Sequence, residues 1–162
     1  MKIGVISDIH VPSAAKNLPA EVRDYFKDCD LIIHAGDAVE ISVIKELEKI
    51  AKTKAVRGNM DNCDLKRQLP EILILNVENK KIGVTHGSGS GDKVIEKVKQ
   101  VFKQKLDIII FGHSHLPFND EIDGTLFLNP GSPTDRIFSP YRSIGIIEIN
   151  GGIRAKIIKL EK

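Results

Sequence analysis

Apolar residues in this chain fall into two alternating patterns, short continuous runs and longer stretches spaced at helical intervals. Lys2-Ile3-Gly4-Val5-Ile6 is a continuous run that predicts a strand ending at Ser7-Asp8, and Pro12 and Ser13 then mark a loop. Val22, Tyr25, Phe26 and Cys29 recur at the three-to-four interval of one helical face, with Pro19 suited to the first helical position, where its missing N–H costs nothing. Asp30 to His34 predicts a second strand. Ile41, Ile44, Leu47 and Ala51 predict a second helical stripe, and Thr53 to Arg57 a third strand closed by Gly58-Asn59. Strand, helix, strand, helix, strand argues for parallel strands with helices on their faces.

The second half reads differently. Ile72 to Val77 and Lys81 to Thr85 predict two strands joined through Glu78-Asn79-Lys80, a hairpin. Gly87 to Gly91 is expected to be a flexible connection, without the Lys of a phosphate-binding P-loop, before a helix presenting Val94, Val98, Val101 and Phe102. Asp107 to Phe111 predicts a buried strand. Asp123-Gly124, between Glu121-Ile122 and Thr125 to Leu128, is the strongest short hairpin signal in the chain, and Asn150-Gly151-Gly152 joins Ile144 to Ile149 with Ile153 to Ile158 in the same way. The expectation is one α/β domain over residues 1–162, with two sheets face to face and helices outside.

Composition narrows the function classes. A chain of 162 residues with 41% hydrophobic and 28% charged side chains is large enough for a real core. With 24 basic against 22 acidic residues the net charge is only +2, and no stretch is basic enough to track a phosphate backbone, so nucleic acid is not favoured as a partner. No apolar run approaches the roughly 20 residues of a membrane span. Cys29 and Cys63 are too few for a disulfide framework, and Met1-Lys2 leads straight into a strand; free thiols and a cytoplasmic location are expected.

Chemistry is concentrated at the ends of the strands. Asp8-Ile9-His10, His34-Ala35-Gly36-Asp37, Gly58-Asn59, His86-Gly87 and Gly112-His113-Ser114-His115 each follow an aliphatic run. Ligands of open sheets collect beyond the carboxyl ends of strands. Two aspartates, one asparagine and four histidines, without cysteine, suit Mn²⁺, Fe, Co²⁺, Ni²⁺ or Zn²⁺ rather than a thiolate-held structural zinc. Seven donors exceed what one ion needs. His113 and His115 alternate along an extended segment, so a turn directly after Gly112 must bring them to one side if both serve the site.

In this order the motifs resemble the calcineurin-like metallophosphoesterase superfamily, and the short length with Arg57-Gly58-Asn59 and Asn129-Pro130-Gly131-Ser132 is similar to its small phosphodiesterase branch. The resemblance covers residues 3 to about 136. It implies a four-layer αββα sandwich of two mixed β-sheets flanked by helices. It further implies two divalent metal ions, Mn²⁺ first, with Ni²⁺, Co²⁺, Fe²⁺ or Zn²⁺ as alternatives. Asp8, His10, Asp37 and His115 would hold one ion and Asp37, Asn59, His86 and His113 the other, Asp37 bridging. Asp37, Asn59 and His86 become the catalytic set, acting through a bridging hydroxide that attacks phosphorus. Asn59 and Arg136 would bind substrate, the guanidinium fork of Arg136 matching phosphate oxygens.

One departure changes the expected substrate. Many members of the superfamily place His after Gly-Asn to protonate the leaving group; this chain has Met60, and a thioether cannot donate a proton. A small phosphodiester is therefore expected over a monoester. The reading from another class is a protein-binding scaffold of the same fold, like the retromer scaffold subunit, and a nuclease ranks third. Phe118 and Ile137-Phe138 are scattered apolar positions that a homodimer or a docking partner would cover. His34 is expected in the core or behind the ligands, Met60 as a wall of the site, and Cys63 as an inert buried thiol.

Overall fold

The computed structural model describes residues 1–90 and 93–161. Its elements run β1 (Lys2–Ile6), α1 (Ala20–Phe26), β2 (Leu31–Ala35), α2 (Ile41–Glu48), β3 (Thr53–Val56), α3 (Cys63–Gln68), β4 (Ile72–Val77), β5 (Lys80–Thr85), α4 (Lys93–Val101), β6 (Ile108–Ile110), β7 (Phe118–Ile122), β8 (Thr125–Asn129), β9 (Ser143–Ile149) and β10 (Ile153–Lys159). They build two five-stranded sheets, ordered β10-β9-β1-β2-β3 and β4-β5-β6-β8-β7. In the first, β1, β2 and β3 are parallel and β9 and β10 antiparallel; in the second, β5, β6 and β8 are parallel with antiparallel β4 and β7 at the edges. Both sheets are mixed.

The layers follow from the alternation of side chains along each strand. Ile3, Val5, Leu31, Ile33 and Val56 of the first sheet meet Ile82, Val84, Ile108, Ile110 and Leu128 of the second in one buried cluster. The opposite face of the first sheet, with Ile6, Ile32 and Ile144, is covered by Val22 and Phe26 of α1, Val43, Ile44 and Leu47 of α2, and Leu65 of α3. Val94 and Val98 of α4 pack with Ile109, Phe111 and Phe127 on the outer face of the second sheet. Each large side chain buried in this way contributes roughly 1.5–3 kcal/mol. Helices, sheet, sheet, helix is the expected αββα sandwich.

Local details depart from the sequence pattern where helices end. Pro19 precedes α1 as its cap; within the helix Val22 and Phe26 are buried while Tyr25 is exposed, and Cys29 is buried from the turn that follows Phe26. Ala51 likewise lies beyond α2. Helix α3 had no apolar stripe to announce it. Its start is set by Asn62, whose side chain accepts a hydrogen bond from Leu65 N at 2.9 Å. Cys63, at the first position of that helix, is exposed, which corrects the expectation of a buried thiol. Strand β7 begins at Phe118, earlier than its pattern suggested, and the β7–β8 turn has φ 53° at Asp123 and 74° at Gly124, the double left-handed turn its sequence favours.

Candidate metal centre

All five polar motifs lie at the carboxyl ends of parallel strands. Asp8 and His10 follow β1, Asp37 follows β2, Asn59 follows β3, His86 follows β5, and His113 and His115 follow β6. The chain turns abruptly at most of them: φ is positive at Asp8 (54°), His10 (50°), Asp37 (60°), His113 (71°) and His115 (57°). Non-glycine residues rarely adopt this conformation, and such strain clusters at functional sites. The left-handed turns at His113 and His115 break the strand alternation and bring both imidazoles to one side.

The strained ends are tied together by Asn129, the last residue of β8, and by the segment that follows it. Asn129 Nδ2 donates to Gly112 O (2.9 Å) and Ser114 Oγ (3.0 Å), Ser132 Oγ donates to Asp8 O (2.7 Å), and Thr134 Oγ1 donates to Ile9 O (2.8 Å). Across the site, buried Asp61 accepts from Val39 N and from Gly58 N, each at 2.7 Å, and so fixes the turns that carry Asp37 and Asn59. The backbone is drawn in so closely that two glycines are obligatory. A Cβ on Gly36 (φ 94°) would lie 2.5 Å from His86 Nδ1, and one on Gly58 would overlap the Asp37 carboxylate.

Seven side chains converge here. His10 Nε2 and His115 Nε2 face each other at 3.2 Å, with Asp8 Oδ1 at 3.9 and 3.4 Å from them. His86 Nε2 lies 3.2 Å from Asp37 Oδ2 and 3.0 Å from Asn59 Oδ1, and His113 Nδ1 is also 3.0 Å from Asn59 Oδ1. Asp37 Oδ2 stands between the two groups, 3.7 Å from His10 Nε2, while Asp37 Oδ1 accepts from Met60 N at 2.7 Å. Asp8-His10-His115 and Asp8-Asp37-His86 each bring their donor atoms within 4.8 Å of one another.

The outward nitrogens fit a metal site. His86 Nδ1 meets Ala35 O at 2.7 Å, His113 Nε2 meets Gly89 O at 2.9 Å, and His115 Nδ1 meets Asp135 Oδ2 at 2.5 Å. Each acceptor draws the ring proton outward, leaving the other nitrogen free to ligate from inside, as the outer partners of metal-binding histidines do. Asp135 is a residue that motif reading passed over. Gly89 gives the glycine-rich loop a structural role, while Gly91 lies outside the described residues.

Protonated imidazoles balance the buried carboxylates. Burial alone would lower the pKa of His86, but its hydrogen bond to Asp37 and the charges of Asp8 and Asp37 raise it to about 9. His115 rises to about 9 against the same opposition from burial, through Asp8 and Asp135. Burial would raise Asp8 and Asp37, yet the adjacent imidazoles hold both carboxyls below the ordinary range. His34 is the contrast: fully buried, it is pushed down to about 4 by burial and is neutral. Its Nδ1 accepts from Gly36 N at 3.2 Å and it stands behind the ligand turn in the core. Met60 is 58% exposed at the rim. Arg136 is exposed and borders clefts beside Asp135 and Arg142 rather than the one lined by Asn59 and His86.

Comparison with known proteins places this geometry. The family model of the calcineurin-like phosphoesterase superfamily domain matches residues 1–152. The chain belongs to the calcineurin-like phosphoesterase superfamily. It is 40% identical to a probable metallophosphoesterase, MJ0623, of Methanocaldococcus jannaschii, over 100% of this chain and 83% of that protein. It is 34% identical to phosphodiesterase MJ0936 of the same organism, over 81% of this chain and 83% of the relative. A crystal structure of a Vps29 single mutant from Entamoeba histolytica superposes with a TM-score of 0.76 at 25% identity, covering 99% of this chain and 100% of that one. The chain is thus a metallophosphoesterase-family protein whose clustered donors suit divalent metals. Among the described residues no helix is long and apolar enough to cross a membrane.

Proposed function

We propose that this protein is a metal-dependent phosphodiesterase with a dinuclear centre. The observation that carries the reading is the series of close contacts that links seven nitrogen and oxygen donors, with Asp37 Oδ2 facing His10 and His86 and three imidazoles anchored through their outer nitrogens. Asp8, His10, Asp37 and His115 would hold one ion and Asp37, Asn59, His86 and His113 the other. Two divalent ions held there would supply Lewis acidity toward phosphoryl oxygens and would make water acidic enough to serve as a nucleophile near neutral pH. Mn²⁺ is the first choice, with Ni²⁺, Co²⁺, Fe²⁺ and Zn²⁺ compatible with the same donors.

The residues of the chain determine the rest. Met60 N fixes one oxygen of Asp37, so the other is turned to the imidazoles of both halves. Asn59 provides a neutral oxygen, so the centre keeps more positive charge for a phosphoryl group than a third carboxylate would leave. The left-handed turns hold these donors in place before substrate arrives, which lowers the cost of organising them. No acid stands at Met60 to protonate a leaving group. Diesters with good leaving groups are therefore the favoured class.

The test is hydrolysis of bis(p-nitrophenyl) phosphate and of p-nitrophenyl phosphate by chelator-stripped protein, then with Mn²⁺ or Ni²⁺ restored. The diester should be cleaved faster, only with metal, and not by Asp37→Ala or His86→Ala. Faster cleavage of the monoester would overturn the diester preference. The likeness to Vps29 and the exposure of Ile137 (83%) and Phe138 (76%) support a second reading, a protein-docking scaffold. Metal-loaded protein that cleaved no phosphoester would favour it.

A further inference from the structure

A cleft of about 480 Å³ opens directly beside Asn59 and His86, between the ends of β3 and β5 and the helices α3 and α4. Among the described residues its walls carry Arg57, Lys66 and Lys97 against one carboxylate, Glu71. That is a local excess of positive charge in a chain whose overall charge is only +2. Arg57 is partly committed: its NH2 pairs with Glu71 Oε2 at 2.9 Å and its NH1 donates to Lys66 O at 3.1 Å. Lys66 Nζ donates to Asn59 O at 2.6 Å, which places an ammonium against the backbone of a proposed ligand. Lys97 Nζ lies over Gly89, 3.2 Å from where a Cβ would stand, on the loop whose carbonyl faces His113. The two ammonium groups thus border the cleft next to Asn59 and next to the loop that anchors His113.

On the phosphodiesterase reading, we propose that this cleft receives a second phosphate group of the substrate, so that the preferred substrate is a small diester carrying a further phosphomonoester. The cleft has the size of a small-ligand site. Lysine binds phosphate as a point charge with three donors, and each ammonium has donors to spare for it beyond the contacts described here. The cleft is contiguous with Asn59 and His86, so a group seated in it stays within one small molecule's reach of the reacting phosphorus. A basic track for a longer polyanion is absent from the sequence, which confines the recognition to one added phosphate rather than to nucleic acid.

The experiment compares thymidine 5′-(p-nitrophenyl phosphate) with its 3′-phosphorylated counterpart on the Mn²⁺-loaded full chain, with bis(p-nitrophenyl) phosphate alongside. The reacting diester and the leaving group are identical, so the ratio of kcat/KM reads the second phosphate alone. The expected ratio is about tenfold in favour of the 3′-phosphorylated ester at low salt, as two partly screened charge contacts would give, and it should fall as salt is raised. In Lys97→Met the ratio should drop to about threefold, and Lys97→Arg should retain it; because it is a ratio, a uniform loss of activity cancels. A wild-type ratio near one with both esters cleaved overturns the second-phosphate site and leaves the phosphodiesterase reading standing. A large ratio that neither Lys66→Met nor Lys97→Met lowers overturns its assignment to this cleft. If none of the three diesters is cleaved, the phosphodiesterase reading itself fails.

Discussion

Replacing Asp135 by Asn changes one atom, and that atom decides which nitrogen of His115 carries its proton. Asp135 is buried; Oδ2 faces His115 Nδ1 at 2.5 Å, while Oδ1 accepts the N–H groups of Ile137 (2.7 Å) and Phe138 (3.0 Å). In Asp135→Asn those backbone donors retain the amide oxygen, so the NH₂ is turned to His115. Two donors cannot face each other, and the ring proton moves to Nε2. That is the nitrogen 3.2 Å from His10 Nε2 and 3.4 Å from Asp8 Oδ1, the one a metal needs bare. Losing the outer partner of a metal-binding histidine weakens the metal by about 10–100-fold, or about 1.4–2.8 kcal/mol. Mn²⁺ titration against a competing chelator should show this loss for one ion while the affinity of the second ion, proposed at His86 and His113, is retained. Affinities for both ions within about twofold of wild type would refute the tautomer argument.

Gly58→Ala should abolish metal-dependent activity, because the added methyl would lie 2.7 Å from Asp37 Cγ against a fixed turn; normal activity in folded Gly58→Ala would show that Asp37 need not stay in place. Chelator-treated protein should lose stability as pH rises from about 6.5 through about 9, since His86 and His115 bind protons more tightly folded than unfolded and that contribution is complete only below the ordinary histidine pKa. The total is on the order of a few kcal/mol, read from urea midpoints, and a flat or rising profile over this range would contradict the pairing with Asp8 and Asp37. Asp8 and Asp37 act in the opposite sense, their contribution disappearing as pH falls below the ordinary carboxylate range. Met60→His should gain hydrolysis of an alkyl phosphoester, whose leaving oxygen needs a proton, relative to bis(p-nitrophenyl) phosphate, whose leaving group does not; an unchanged ratio would mean that no proton is delivered from this position.

Much of this architecture was legible because one physical signal carried it. Buried strands such as Leu31-Ile32-Ile33 and Ile108-Ile109-Ile110 must be apolar on both faces in an inner sheet, and Asp37 and His113 come a few residues later, just beyond the end of each strand. Helix α3 was not legible in that way, since only Leu65 of its six residues is buried and its start depends on a single cap, Asn62. The cap itself, with Asp64 in the first turn and Lys66 and Arg67 in the last, was the available signal. Cys63 was misplaced for the same reason: without the helix, nothing indicated that its first position faces solvent. At the site, motif reading found residues that stand at strand ends. It passed over Asp135 and the clamp made by Asp61, which act through backbone turns and pair with residues far away in sequence. Asp135 meets His115 through its side chain, a contact that no strand-end motif announces.

The most direct measurement is a crystal structure of the Mn²⁺-loaded protein with anomalous data collected at the manganese edge. Two peaks about 3.5–4 Å apart, both contacted by the Asp37 carboxylate, with His10 and His115 on one ion and His86 and His113 on the other, are the predicted result. A single ion, or two ions that share no contact with Asp37, would contradict the dinuclear centre.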